Sequence, residues 1–162
     1  KAQNCSFHET LIPMRGLNLY AKVHKDKEAK EAVTRAAEIF LKRHLYKKQS
    51  DDTLIDSNFT KPHYPPYWHY DILFGLKVMA EAGFIKDKRC RDALDLLESK
   101  RLSDGGFPAE GKYYITTNRN STLVDWGGVN KKKSNTYVTR DAKFVLKEAG
   151  RMQQSSQTPL TP

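Results

Sequence analysis

Residues 66–83 read PYWHYDILFGLKVMAEAG. Across 68–82, apolar side chains (Trp68, Tyr70, Ile72, Leu73, Phe74, Leu76, Val78, Met79, Ala80) fall on nearly every helical face, and a helix apolar all round must be covered on all sides. Pro66 suits the first turn of such a helix. The next segment is different in kind. Residues 87–101 carry a broad charged face (Lys88, Arg89, Arg91, Asp92, Asp95, Glu98) opposite a stripe of Cys90, Ala93, Leu94 and Leu97. A buried helix followed by an amphipathic one predicts a hairpin with an inner and an outer member, and hairpins of this kind stack as helical repeats do.

The same arrangement recurs along the chain. Gly16-Leu17 and Gly75-Leu76 lie 59 positions apart, and Lys25-Asp26-Lys27 and Lys86-Asp87-Lys88 lie 61 apart. A truncated third copy, NTYVTRDAKFVLKEAG at 135–150, aligns its Lys147-Glu148-Ala149-Gly150 with Ala80-Glu81-Ala82-Gly83. Self-similarity at offsets of 59 to 67 residues points to a repeat architecture. The expected fold is therefore all-α: hairpins at 6–45 and 66–102 and a half-hairpin at 135–150, in two layers, forming one domain over 1–150. Local signals agree. Ser6 and Glu9 form an S-x-x-E capping box, Asp26 and Asp87 are natural N-caps, and Pro13 predicts a kink near Ile12. Gly16, Gly75 and Ala142 occupy equivalent positions, where small residues would let inner helices approach closely.

Composition limits the function classes. The chain has 162 residues, 28 Lys and Arg against 19 Asp and Glu, a net charge of +9 and 38% hydrophobic residues, the last below the roughly 45–50% of ordinary globular domains. No apolar run approaches the ~20 residues of a membrane span. Most basic residues alternate with acidic ones on helical faces, and Lys131-Lys132-Lys133 is shorter than a nucleic-acid patch, so no nucleic acid is expected. Cys5 and Cys90 lack C-x-x-C spacing and are too few for a disulfide framework, which fits a reducing cytoplasm. Lys1 stands where an initiator Met would, so the expectation is a portion of a longer polypeptide.

Two long connections break the pattern, at 46–65 and 103–134, and connections of that length tend to be functional or disordered. In the second, 112–117 (KYYITT) and 121–126 (STLVDW) have strand composition and predict a small β-hairpin. Residues 151–162 are polar with two prolines and read as a disordered tail.

The segment PHYPPYWHYDILFGLKVMAEAG, followed by KDKRCRDALDLLESKRLSDGGFPAEG, resembles the squalene cyclase and prenyltransferase-like alpha/alpha-toroid superfamily. SKRLSDGGF is similar to the end of the so-called QW repeat, with Gly105-Gly106-Phe107 supplying the turn and ring. The resemblance implies hairpins closed around a central cavity, of which this chain holds about two and a half. It also implies an apolar or isoprenoid-like ligand, and as partners the remaining hairpins of the toroid or a second copy. The family's catalytic motifs do not occur here. There is no D-x-D-D acid, neither cysteine has an Asp at the spacing of the zinc-binding prenyltransferases, and Asp51-Asp52 with Asp56 is one residue off the magnesium-binding D-D-x-x-D. No cofactor or metal is expected, and whether the chain is an enzyme stays open.

The candidate ligand-binding residues are Tyr64, Trp68, His69, Tyr70, Asp71, Asp104 and Trp126, gathered at the start of the apolar helix and in the loop expected to cross the same end. His69 and Asp71 stand two apart, on different helical faces, and cannot form a relay with each other. Aromatic walls around one carboxylate suit an apolar or cationic ligand. The alternative function is a non-catalytic helical-repeat scaffold that binds a protein partner.

Overall fold

The computed structural model describes residues 6–115 and 124–152. They form an all-α structure of α1 (Phe7–His24), α2 (Lys27–Leu41), α3 (Ile72–Ala82), α4 (Arg91–Glu98) and α5 (Thr136–Glu148), with 3-10 turns at Ser57–Thr60 and Lys88–Cys90. Among the described residues, β pairing consists of isolated bridges.

The helices begin where polar side chains can accept from free amides, a contribution of about 0.5–2 kcal/mol each. Ser6 Oγ accepts from the Glu9 amide and Asp26 Oδ1 from that of Ala29. Asp87 caps the 3-10 turn that leads into α4, and Asn135 caps α5 by accepting from Tyr137 and Val138. α1 runs through Pro13 as one helix, with the proline on its exposed side.

The buried helix starts later than its proline predicts. α3 begins at Ile72, with Asp71 as N-cap accepting from the Phe74 amide at 2.8 Å. Residues 62–71 are instead an irregular segment containing a cis Tyr64–Pro65 bond. Asp71 wins over Pro66 because a buried carboxylate at that place satisfies a helix-end donor, which Pro66 cannot do. One correction follows for Trp68. It lies before the helix and is 61% exposed.

From Ile72 onward the expectation of all-round burial is met: Ile72, Leu73, Phe74, Gly75, Leu76, Val78 and Met79 are all buried. α3 packs against α1, α2, α4 and α5, so it is the hub of the core. α1 contributes Phe7, Leu11 and Met14, α2 contributes Val33, Ala37 and Phe40, and α5 contributes Val138, Ala142 and Val145. Among the described residues, α1 is covered on one side only. Ile12, Leu17, Leu19, Tyr20 and Val23 on its other side are exposed.

The equivalence of the two glycines does not extend to their surroundings. At Gly75 a Cβ would run into the Tyr70 ring and hydroxyl, whereas at Gly16 it would meet open space. The close approach at Gly75 is thus to a side chain, not to a neighbouring helix.

The connections are ordered by their own polar groups. Asp51 accepts from the Thr53 amide and Asp56 from that of Asn58, so these acids serve their own turns. Residues 112–115 and 124–126 of the predicted β-hairpin carry no strand, and 116–123 lie outside the described residues. Here the Gly128 amide donates to the Tyr114 hydroxyl at 2.8 Å, a side-chain link that replaces strand pairing. The predicted tail is anchored at its first residue: Arg151 donates to Asp95 and Glu98 on α4. Residues 153–162, like Cys5, lie outside the described residues. No described helix is long and apolar enough to cross a membrane.

Candidate functional site

The segment 62–71 is held to the start of α3 by one carboxylate. Asp71 Oδ2 accepts from the His63 amide at 2.8 Å and lies 2.6 Å from His63 Nδ1, while Oδ1 caps the helix. Both side chains are 1% exposed. Burial acts against charge on the His63 ring, but the Asp71 charge and hydrogen bond, aided by the Lys61 and Pro66 carbonyls, outweigh it and raise the pKa. Among the described residues, His63 Nε2 has no hydrogen-bond partner. His69 does not pair with Asp71, but helical spacing is not the reason, because both lie before the first residue of α3. The partner is His63, eight residues upstream in an aperiodic stretch, which no helical or strand period could single out.

The seven sequence-predicted residues separate into distinct environments. Tyr64 and Trp126 come together: Tyr64 stacks on Tyr137 with centroids 4.7 Å apart, and Trp126 meets both rings edge-on. The Arg140 guanidinium lies 5.5 Å from the Tyr64 centroid and 5.8 Å from that of Tyr137. Trp68 and His69 form a second group. The His69 ring stacks on Trp68 on one side and on Tyr113 on the other, with His8 edge-on nearby. Burial and the neighbouring His63 and His8 rings lower the pKa of His69.

Tyr70 and Asp71 are buried in the core. The Tyr70 hydroxyl donates to the Leu45 carbonyl at 2.6 Å, and burial holds its pKa well above the ordinary phenol value. The carboxylate expected to stand open among aromatic walls is therefore consumed by capping and by His63. Asp104 stands apart from the rest, exposed, accepting from the Gly106 amide and the Ser134 hydroxyl. It shapes the turn between α4 and α5.

A cavity of about 280 Å³ opens beside the Tyr64 group. Tyr64, Pro66, Leu73 and Phe74 give it apolar walls, and Arg15, Lys77, Asp141 and His63 supply polar ones. The charges are paired. Lys77 Nζ lies 2.9 Å from Asp141 Oδ2, Arg140 Nε 3.0 Å from Asp141 Oδ1, and Arg15 makes a two-pronged pair with Glu81 at 2.6 and 2.8 Å. Sequence reasoning missed Arg15, Lys77 and Asp141, which come from three helices that only the tertiary fold brings together. Three wider depressions, of about 530 to 570 Å³, hold none of the seven predicted residues. Among the described residues no group of three or more His, Cys, Asp or Glu side chains is placed to hold a metal ion.

Comparison of the chain with protein-family models, with curated proteins and with solved structures yields no match.

Proposed function

We propose that the chain is part of a toroid-like array of helical hairpins, of the squalene cyclase and prenyltransferase-like kind, that binds an apolar or isoprenoid-like ligand without a complete catalytic motif of its own. The observation that supports this reading is the cavity between α1, α3 and α5. It joins aromatic and aliphatic walls to a rim of paired charges, and at about 280 Å³ it is slightly smaller and more polar than ordinary small-molecule sites, so it would take one end of a longer ligand. The Tyr64, Trp126 and Tyr137 rings extend the aromatic surface beyond it. A reducing cytoplasm suits the buried Cys90 thiol, whose pKa burial pushes up to about 12.

Thermal unfolding with farnesyl diphosphate and with squalene tests the proposal. Binding at a hundredfold excess over Kd adds about 2.7 kcal/mol of stability, which for a chain of this size is a rise of roughly 5–10 °C in Tm. The rise should saturate and should shrink in Phe74→Ala, whose ring forms part of the wall. Unchanged melting with both probes refutes the ligand reading. The other reading, a scaffold for a protein partner, draws on a different observation, the uncovered apolar side of α1.

A further inference from the structure

Buried polar groups in folded proteins have hydrogen-bond partners, and each exception calls for a reason. His63 is such an exception. Its side chain is 1% exposed and Asp71 Oδ2 engages Nδ1 at 2.6 Å, so Nε2 is the nitrogen that the ring can offer. The Lys61 and Pro66 carbonyls lie near the ring, yet among the described residues Nε2 bonds to no group. His63 also forms part of the wall of the cavity that Tyr64, Leu73 and Phe74 line with apolar surface. Two other walls carry spare donors. Arg15 gives Nε and Nη2 to Glu81, and Lys77 gives one proton to Asp141. Among the described residues, Arg15 Nη1 and the remaining Lys77 protons have no hydrogen-bond partner. The lining carboxylate, Asp141, already accepts from Lys77 and Arg140.

We propose that the cavity seats the carboxylate end of a long-chain acid, with His63 Nε2 as the buried donor to it and Arg15 and Lys77 as cations at its rim. The inference rests on the ligand reading above and names the head group of that ligand. Charge selects a carboxylate. Arg15, Lys77, Arg140 and a protonated His63 stand against Glu81, Asp141 and Asp71, a surplus of one positive charge. A carboxylate cancels that surplus, whereas a phosphate, at about −1.5 to −2, exceeds it. Asp71 already favours the protonated ring by raising its pKa, and a second anion at Nε2 acts in the same direction. An alcohol or hydrocarbon end would leave the surplus uncompensated in a partly desolvated site. The rest of the chain then runs onto the Tyr64, Trp126 and Tyr137 rings.

Other uses of the free nitrogen fit less well. A metal ion would need more ligands than His63 supplies, and among the described residues no group of three or more His, Cys, Asp or Glu side chains is placed to hold one. A neutral ring acting as a base would need a hydroxyl to activate. Among the residues lining the cavity the hydroxyl is that of Tyr64, which is bonded with Arg140.

Titration calorimetry with farnesoic acid and with farnesol, which share a chain and differ in the head group, tests it. The acid is expected to bind at least about tenfold more tightly, the effect of one charge-assisted hydrogen bond. His63→Phe, with unchanged circular dichroism, should bring the two affinities together. Should that variant not fold, the native protein decides. With ¹⁵N-labelled histidine, assigned by replacing each of the other histidines in turn, the His63 Nε2 resonance should shift saturably with the acid and stay in place with the alcohol. Equal affinity for acid and alcohol, or a Nε2 resonance that farnesoic acid leaves unmoved, overturns this inference and leaves the ligand reading standing. Tighter binding of farnesyl phosphate than of farnesoic acid overturns it and assigns the head to phosphate. Binding of none of the three compounds overturns both.

Discussion

Two glycines that each precede a leucine inside a helix, Gly16 in α1 and Gly75 in α3, should respond oppositely to the same substitution. In Gly75→Ala the new methyl group enters space held by the Tyr70 ring and hydroxyl. Overpacking a core costs about 1–3 kcal/mol. If the ring yields, the hydroxyl leaves the Leu45 carbonyl, and a buried acceptor without its donor costs about 1–3 kcal/mol. Against this stands the helical advantage of Ala over Gly, up to about 1 kcal/mol. With each cost at the middle of its range the net is a loss of about 3 kcal/mol, or roughly 6–12 °C in Tm. Gly16→Ala meets open space, so only the helical gain of up to about 1 kcal/mol remains. Urea unfolding of both variants measures the two signs directly. Tyr70→Phe completes a double-mutant cycle with Gly75→Ala, in which the combined loss should fall short of the sum because the same hydrogen bond is removed twice. Equal stabilisation by both alanines would falsify the claim that the Gly75 site exists for Tyr70.

The buried His63–Asp71 pair gives a pH signature. The His63 pKa is raised above the ordinary 6.5, so the charged ring stabilises the fold fully below that value, and the contribution is lost as pH rises through the raised one. Chemical denaturation from pH 5 to 9 should show this decline in the native protein, and Asp71→Asn should abolish it. Arg89 pairs with both Glu38 and Asp87 and holds Asp87 down to about 2. The sign there is reversed: stability from Asp87 is present above the usual carboxylate range and is lost as pH falls toward about 2. Arg89→Ala should therefore move acid unfolding to higher pH, read by circular dichroism. Cys90, buried and with its thiol pushed up to about 12, should react with a disulfide reagent in a Cys5→Ser background only at the rate of unfolding, whereas label uptake within seconds in the native state would contradict its burial.

What could be read from the residues was whatever local chemistry decides. Ser6, Asp26 and Asp87 cap as their side chains allow, and the stripe of Cys90, Ala93, Leu94 and Leu97 is buried on the face its spacing indicates. The apolar run is the buried hub from Ile72 onward. The start of that helix was legible only in part. Pro66 and Asp71 are both valid helix openers, and the choice between them depends on His63 arriving beneath Asp71 from eight residues away. The candidate site suffered for the same reason. Tyr64 and Trp126 do meet, edge-on and with Tyr137 of α5 as a third ring, while Tyr70, Asp71 and Asp104 serve packing, capping and turn formation. Side chains whose partners lie 60 or more positions distant, such as Lys77 with Asp141 and Arg15 with Glu81, leave no mark in a linear pattern.

The Tyr70 hydroxyl joins the opening of the second hairpin to Leu45 at the close of the first. Lys47 reaches Asp92, and Arg89 reaches Glu38, across the same division. Neighbouring helical units cooperate through the interface between them. Bonds of this kind tie the first helix pair to the second, so heat should dismantle both in a single step, and damage to either should be felt throughout.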